Sequence, residues 1–246
     1  MRSIIPLISG DEKKIVVLSA LSGTTNSLVE ISGFLHNNQN HSALEKIEAL
    51  RTIYTRVVQD LYDTAKGHKE GFELIDAHFG YLGNIATQPF SRIQEGSVLA
   101  EGELISSSLF HILLQEKGIR SVLVPALNFM RIDKDGEPDS FYIAENLRRE
   151  LEKHPDENII ITQGFICRNA FGEIDNLRRG GSDYTASLLG AALNASEIQI
   201  WTDINGFHNN DPRYVEKTNV IRDLSFDEAA ELAYFGAKIL HPSSVN

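Results

Sequence analysis

Lys14-Ile15-Val16-Val17-Leu18-Ser19 and Asn158-Ile159-Ile160-Ile161-Thr162 are short apolar runs rich in β-branched residues, with no polar residue in alternation. A strand with one face in water alternates, whereas a strand covered on both faces does not, so both runs read as buried strands of a parallel sheet. Residues 121–125 (SVLVP) and 197–201 (EIQIW) read as two more. Helical periodicity fills the intervals. Between residues 43 and 66, Leu44, Ile47, Leu50, Ile53, Val57, Leu61 and Ala65 recur every three or four places, an amphipathic helix. Helices are also expected over 26–35, 71–85, 101–116 and 144–153, and over 182–193, rich in small residues. Ser225-Phe226-Asp227-Glu228 has the capping-box pattern and opens a last helix to about residue 235. Residues 133–136 carry a turn signal inside an expected hairpin, and residues 36–42 read as a polar surface loop. Strands without alternation, separated by helices, predict one α/β domain with a mainly parallel sheet covered on both faces.

The chain has 246 residues, enough for a sizeable core, and its 42% hydrophobic and 23% charged content is ordinary for a globular protein. Its 23 Lys and Arg against 34 Asp and Glu give a formal net charge of −11. That sign repels phosphate backbones and anionic lipid, so neither nucleic acid nor membrane is an expected partner. The single cysteine, Cys167, cannot form an internal disulfide and reads as a small apolar filler beside a strand. The first ten residues, interrupted by Pro6, do not form a signal-peptide core, and no segment reads as a transmembrane helix. The cytosol is the expected compartment. The eight histidines show no metal-ligand spacing, so no protein-held metal site is expected; His36 and His41 are expected to be solvated.

Ligands of open α/β sheets sit at the carboxyl ends of strands, where loops feed helix N-termini. Three such loops are rich in Gly, Ser, Thr and Asp: residues 20–26, 178–183 and 202–206, the last running on to Asp211-Pro212-Arg213. Their free amides and small side chains let an anion or hydroxyl-rich ligand approach closely. Each also has a plainer reading. Gly180-Gly181-Ser182-Asp183 suits a turn with a helix cap as well as a ligand site, and residues 209–212 alone are turn chemistry. The glycines of residues 203–206 and 133–136 come too early for an EF-hand loop, and neither a Walker A sequence nor G-x-G-x-x-G occurs.

Taken together, VVLSALSGTTN (16–26), EGE (101–103), ITQGFI (161–166), RGGSDYTA (179–186), WTDINGFHNNDPR (201–213) and FGAKILHP (235–242) resemble the motifs of the aspartokinases, in that family's order and at similar spacing. The resemblance implies the amino-acid-kinase (carbamate-kinase-like) fold, a three-layer α/β/α sandwich. It implies residues 1–180 as an aspartate-binding lobe and 181–246 as the start of an ATP-binding lobe. The activity implied is transfer of the ATP γ-phosphoryl, with Mg2+, to the side-chain carboxylate of L-aspartate, the first step towards lysine, threonine and methionine. By the same resemblance, Arg179 clamps a substrate carboxylate, and Glu103 faces the substrate ammonium. Ser19 and Thr25 are substrate-binding hydroxyls. Gly180, Gly181 and Ser182 line the same pocket, and Asp183 orients cationic groups around the phosphates. Thr202, Asp203, His208, Arg213, Lys238 and Ile239 match ATP-contact positions, with Lys238 the cation on the phosphates. Arg179, Asp183 and Lys238 are thus the expected catalytic set. Plainer readings stand beside these: a solvated Arg179, a helix-start carboxylate at Glu103 meeting the dipole, and helix-capping hydroxyls at Ser19 and Thr25.

The sequence also departs from the family pattern. No Lys-Phe-Gly-Gly-Thr-Ser phosphate loop is present, Arg178 stands where the family has a glycine, and His208 replaces an aromatic. The chain stops short of the family's ACT regulatory domains. The expectation is therefore a chain truncated at both ends, inactive or slowed by several powers of ten as it stands, from a protein that is a homo-oligomer when complete. Two alternatives stand: a catalytically silent nucleotide- or amino-acid-binding module, and a kinase of the same fold for another small carboxylate.

Overall fold

The computed structural model describes residues 1–178, 180–202, 206, 208–210, 215 and 217–235. Strand β1 (Lys14–Leu18) pairs in parallel with β3 (Ile159–Gln163), from Lys14 opposite Ile159 to Leu18 opposite Gln163. Strand β2 (Val122–Leu123) pairs in parallel with the other edge of β3, giving the order β1-β3-β2. All five β3 residues are buried. Ile159 and Ile161 belong to the core on one face of the sheet, and Ile160 to the core on the other. That two-sided burial is why the run carries no alternation.

One face is covered by helices α2 (Thr24–His36), α3 (Asn40–Leu61), α4 (Ala65–Ile85) and α5 (Arg92–Glu116), packed in succession. The other carries α6 (Ser140–Glu152) and α7 (Gly181–Leu193), which pack on each other. This is the α/β/α arrangement anticipated from the sequence. A short helix, α1 (Ile5–Ile8), packs its Ile8 into the first core, and α8 (Phe226–Phe235) closes the described chain. Ser225 and Glu228 form the capping box of α8: the Ser225 backbone N–H donates to Glu228 Oε2 at 2.8 Å, and the Glu228 N–H to Ser225 Oγ at 3.3 Å.

Several expectations need correction. The periodic run 43–66 is not one helix. It stops at Leu61, Tyr62 is extended, and Thr64 accepts the Gly67 N–H as the N-cap of α4. The buried stripe of α3 passes through Ile47, Leu50, Tyr54, Val58 and Leu61, and Ile53 is exposed. Helices α4, α5 and α6 begin before residues 71, 101 and 144, and β2 spans two residues rather than five. Strands β4 (Ile166–Arg168) and β5 (Ile174–Asn176) form an antiparallel hairpin that was not anticipated. Cys167 lies in β4 rather than beside a strand; it is buried, and burial pushes its thiol up to about 12. His36 is exposed, as expected; its Nε2 also lies 3.1 Å from Glu95 and its ring meets Phe90 edge-on. Residues 197–201 form no strand, because no described strand lies alongside to pair with them. Ile198 instead covers Gly190 on α7, and Trp201 is 67% exposed.

Contrary to the expectation of no such segment, α5 is long and apolar enough to cross a membrane. However, 67% of its apolar stretch is buried inside the protein, where it forms the central helix. Another close approach lies at the α3–α4 turn. A Cβ on Gly71 would sit 2.6 Å from Tyr62 Cε2, and the Tyr62 hydroxyl donates to the Leu109 carbonyl at 2.8 Å. Gly71→Ala is expected to destabilise the fold by about 2 kcal/mol through overpacking, read as a lower midpoint in denaturant unfolding.

Candidate active site

Parallel pairing brings the carboxyl ends of β1 and β3 together, and the Gly164 N–H donates to the Leu18 carbonyl at 2.9 Å just beyond them. Three elements converge there: the β1–α2 loop, the middle of α5 and the start of α7.

Glu103 lies in the middle of α5, not at a helix start, so the plainer reading of a carboxylate meeting the dipole does not apply. It is 3% exposed. Its Oε1 accepts the Ala20 backbone N–H at 3.2 Å, and its Oε2 has no hydrogen-bond partner among the described residues. Burial pushes its pKa from 4.5 up to about 7, with the Ala20 N–H opposing part of that rise. A half-satisfied carboxyl of this kind is costly unless a cation completes it. One turn further along α5, Ser106 Oγ donates to the Ser19 carbonyl at 2.7 Å, fixing the residue next to Ala20. Gly102 allows this contact: a Cβ there would meet Ala20 Cβ at 2.8 Å and Thr24 Cγ2 at 3.2 Å.

Neither Ser19 nor Thr25 caps α2. Its N-cap is Gly23, at φ 80°, with no side-chain cap. Ser19 is exposed at the end of β1, and Thr25 is half-buried in the first turn of α2. The neighbouring Thr24 is buried, with Oγ1 3.0 Å from the Tyr54 hydroxyl.

On the other side, Gly180 in the left-handed region (φ 76°) is the N-cap of α7 and carries no side-chain cap. Gly181 lies against Phe165 and Leu177, and Thr185 Oγ1 accepts the Phe165 N–H at 3.2 Å. Gly164 lets the helix start reach the sheet: a Cβ there would be 2.5 Å from Ser182 Oγ and 2.7 Å from Ser182 Cα. Asp183 stands in the first turn of α7, where the positive helix end favours negative charge.

Ser19, Glu103, Gly180, Gly181 and Ser182 therefore meet around one junction, with Thr25 and Asp183 in the adjoining first turns. Arg179, Asp203, Arg213, Lys238 and Ile239 lie outside the described residues. Thr202 ends the 197–202 segment, which has no regular secondary structure. His208 pairs with Val220 in an antiparallel bridge, its Nδ1 2.8 Å from Thr218 Oγ1. Sequence reasoning missed Ala20, Ser106, Gly164 and the Thr24–Tyr54 pair. Ser106 carried a usable signal, being three residues after Glu103 and so on the same helix face. Among the described residues no group of three or more His, Cys, Asp or Glu side chains could hold a metal.

A parallel sheet between helical layers, with a glycine-bordered helix start and a buried carboxylate at its carboxyl edge, matches one family along its whole length. The chain belongs to the amino acid kinase family, whose model matches residues 1–246. It is 36% identical over 243 residues to the lysine-sensitive aspartokinase 3 of Escherichia coli (strain K12), covering 97% of this chain and 53% of that protein. This chain thus spans about half the length of that relative. Among solved structures, it resembles the crystal structure of E. coli aspartokinase III in complex with aspartate and ADP (R-state). There the TM-score is 0.81 at 35% identity, over 94% of this chain and 52% of that one. The T-state of E. coli aspartokinase III, in complex with lysine and aspartate, aligns with a TM-score of 0.80 at 34% identity, over 99% and 55% of the two chains.

Proposed function

We propose that the chain is catalytic sequence of an aspartate kinase, which transfers the γ-phosphoryl of ATP to the side-chain carboxylate of L-aspartate to give 4-phospho-L-aspartate. One carboxylate oxygen bonds to the γ-phosphorus as the bond from that phosphorus to the β-phosphate oxygen breaks, and ADP leaves. The nucleophile is already an anion, so no general base is needed. The protein's task is to hold two anions in line and balance the charge on the moving group.

The observation that carries this reading is the buried Glu103 carboxylate, one oxygen matched by the Ala20 amide and the other without a described partner. In that place it suits the α-ammonium of an amino acid. Arg179 would clamp a substrate carboxylate with its planar fork of donors. Ser19, Thr25 and the amides of Gly180, Gly181 and Ser182 would complete the aspartate pocket of a lobe spanning residues 1–180. Thr202, Asp203, His208, Arg213, Lys238 and Ile239 would serve the nucleotide in a lobe beginning at 181.

The donor set fits a magnesium ion that arrives on the nucleotide, since such an ion keeps most of its waters and needs only one or two carboxylates. Asp183 is the carboxylate this reading offers, and the bound ion would neutralise charge on the β- and γ-phosphates. The cytosol and a homo-oligomeric whole protein belong to the same reading.

The test is calorimetry with ATP and L-aspartate beside a hydroxamate assay for acyl phosphate. Aspartyl hydroxamate that depends on ATP and Mg2+, and is lost with N-acetyl-aspartate as acceptor, is the expected result. Binding of both ligands without product would favour a silent module, and faster turnover of another small carboxylate would change the acceptor.

A further inference from the structure

We propose that Tyr54 and Thr24 are positioning residues for the Glu103 pocket, their paired hydroxyls holding the β1–α2 loop so that one carboxylate oxygen meets the Ala20 amide and the other stays available for an ammonium-bearing ligand. The inference deepens the aspartate-kinase reading and rests on it.

Tyr54 is fully buried on α3, and its ring lies 5.6 Å from that of Phe79 within the apolar core. Phenylalanine would fill this space, as valine would fill that of Thr24, and two buried hydroxyls cost free energy unless they bond. The pair is bonded, at 3.0 Å. It ties α3 to the first turn of α2 immediately after Gly23, where the loop reverses at φ 80°. On the opposite side the same loop rests on Gly102 through Ala20 and Thr24, and takes the Ser106 hydroxyl at the Ser19 carbonyl. The loop is therefore gripped from two helices, and Glu103 stands on the second of them, between Gly102 and Ser106. The Tyr54 hydroxyl also faces the loop and the carboxylate. Burial first, and then the charge of Glu103, push its pKa up to about 12, against the hydrogen bond from Thr24 and the backbone of Leu21. It thus stays protonated through the working range.

The test compares Tyr54→Phe, Thr24→Val, their double variant and Glu103→Gln, using calorimetry with L-aspartate and with ATP, steady-state kinetics and thermal melting. Tyr54→Phe and Thr24→Val are each expected to weaken aspartate binding by about fivefold, the scale of one net hydrogen bond. The double variant should be no weaker than either single one, because both delete the same bond. The loss should appear in the KM for aspartate rather than in kcat, with ATP affinity retained and the melting temperature lowered by a few degrees, since each single variant leaves one buried hydroxyl unpaired. If Glu103→Gln weakens aspartate binding while Tyr54→Phe leaves it within about twofold, the inference alone is overturned. Equal losses for aspartate and ATP also overturn it, since they mark a purely structural role. A wild-type chain that binds no aspartate, or a Glu103→Gln variant that binds it normally, overturns the proposed function and this inference with it.

Discussion

Glu103→Gln is expected to weaken L-aspartate binding about a hundredfold while leaving ATP affinity unchanged. The amide keeps the shape of the side chain and can still accept the Ala20 N–H, so the fold is retained. What it loses is the negative charge opposite the substrate ammonium. A charge-assisted bond in a buried site contributes up to about 3 kcal/mol, and each tenfold in affinity corresponds to about 1.4 kcal/mol. Calorimetry on both proteins reads the ratio directly. A ratio near one would remove Glu103 from the site.

The same substitution should change how stability depends on pH. Burial raises the folded pKa of Glu103 from 4.5 to about 7, so between these values the folded chain binds a proton that the unfolded chain has released. The stability linked to this group is therefore fully present below pH 4.5 and is lost as pH rises to about 7. The loss is about 3 kcal/mol. Glu103→Gln carries no such term and should be more stable than wild type at pH 8, with the difference vanishing at pH 4. Thermal melting at both pH values checks this. Aspartate should reverse the trend in the wild type, because the ammonium favours the ionised carboxyl and binding below pH 7 then releases a proton.

Gly164→Ala is expected to reduce phosphoryl transfer about a hundredfold and to destabilise the fold by about 2 kcal/mol. The φ of Gly164 is not in the left-handed region, so the difficulty is space. The added methyl would fall 2.5 Å from Ser182 Oγ and 2.7 Å from Ser182 Cα. The hydroxyl could rotate away, but the Cα belongs to the first turn of α7, so the whole helix start must move. Overpacking of this kind costs about 1–3 kcal/mol, and a displacement of about 1 Å at a reacting centre can cost about a hundredfold in rate. Adding Ser182→Gly should not rescue activity, because the clash with Cα remains. Hydroxamate production and denaturant midpoints separate the two effects, and wild-type activity in Gly164→Ala would show that the start of α7 is not part of the site.

The runs at β1 and β3 were legible because packing on both faces writes itself into consecutive residues, although β1, at the edge of the described sheet, is half-buried where β3 is buried throughout. The start of α7 was legible because a glycine-bordered turn places its requirements side by side in Gly180 and Gly181. The phase of α3 was not. Ile53 and Tyr54 are neighbours, and a three-or-four spacing accommodates either, so hydrophobicity alone selected the exposed isoleucine over the buried phenol. The segment 197–201 failed for another reason: its composition suits a strand, but a strand exists only where a second one pairs with it.

By itself, then, the sequence determined the two-sided strands, the helical layers, the membership in a family and the strand-end loops proposed for the site. These rest on local pattern and on the backbone freedom of particular glycines, both readable within a few residues. Tertiary structure alone decided that Glu103 is buried with one oxygen matched by Ala20, 83 positions away. It also decided that Tyr54 reaches Thr24 across 30 positions, and that Gly164 must be bare so that Ser182 can touch the sheet. Desolvation and close packing depend on which distant segments meet, and no local pattern encodes that meeting.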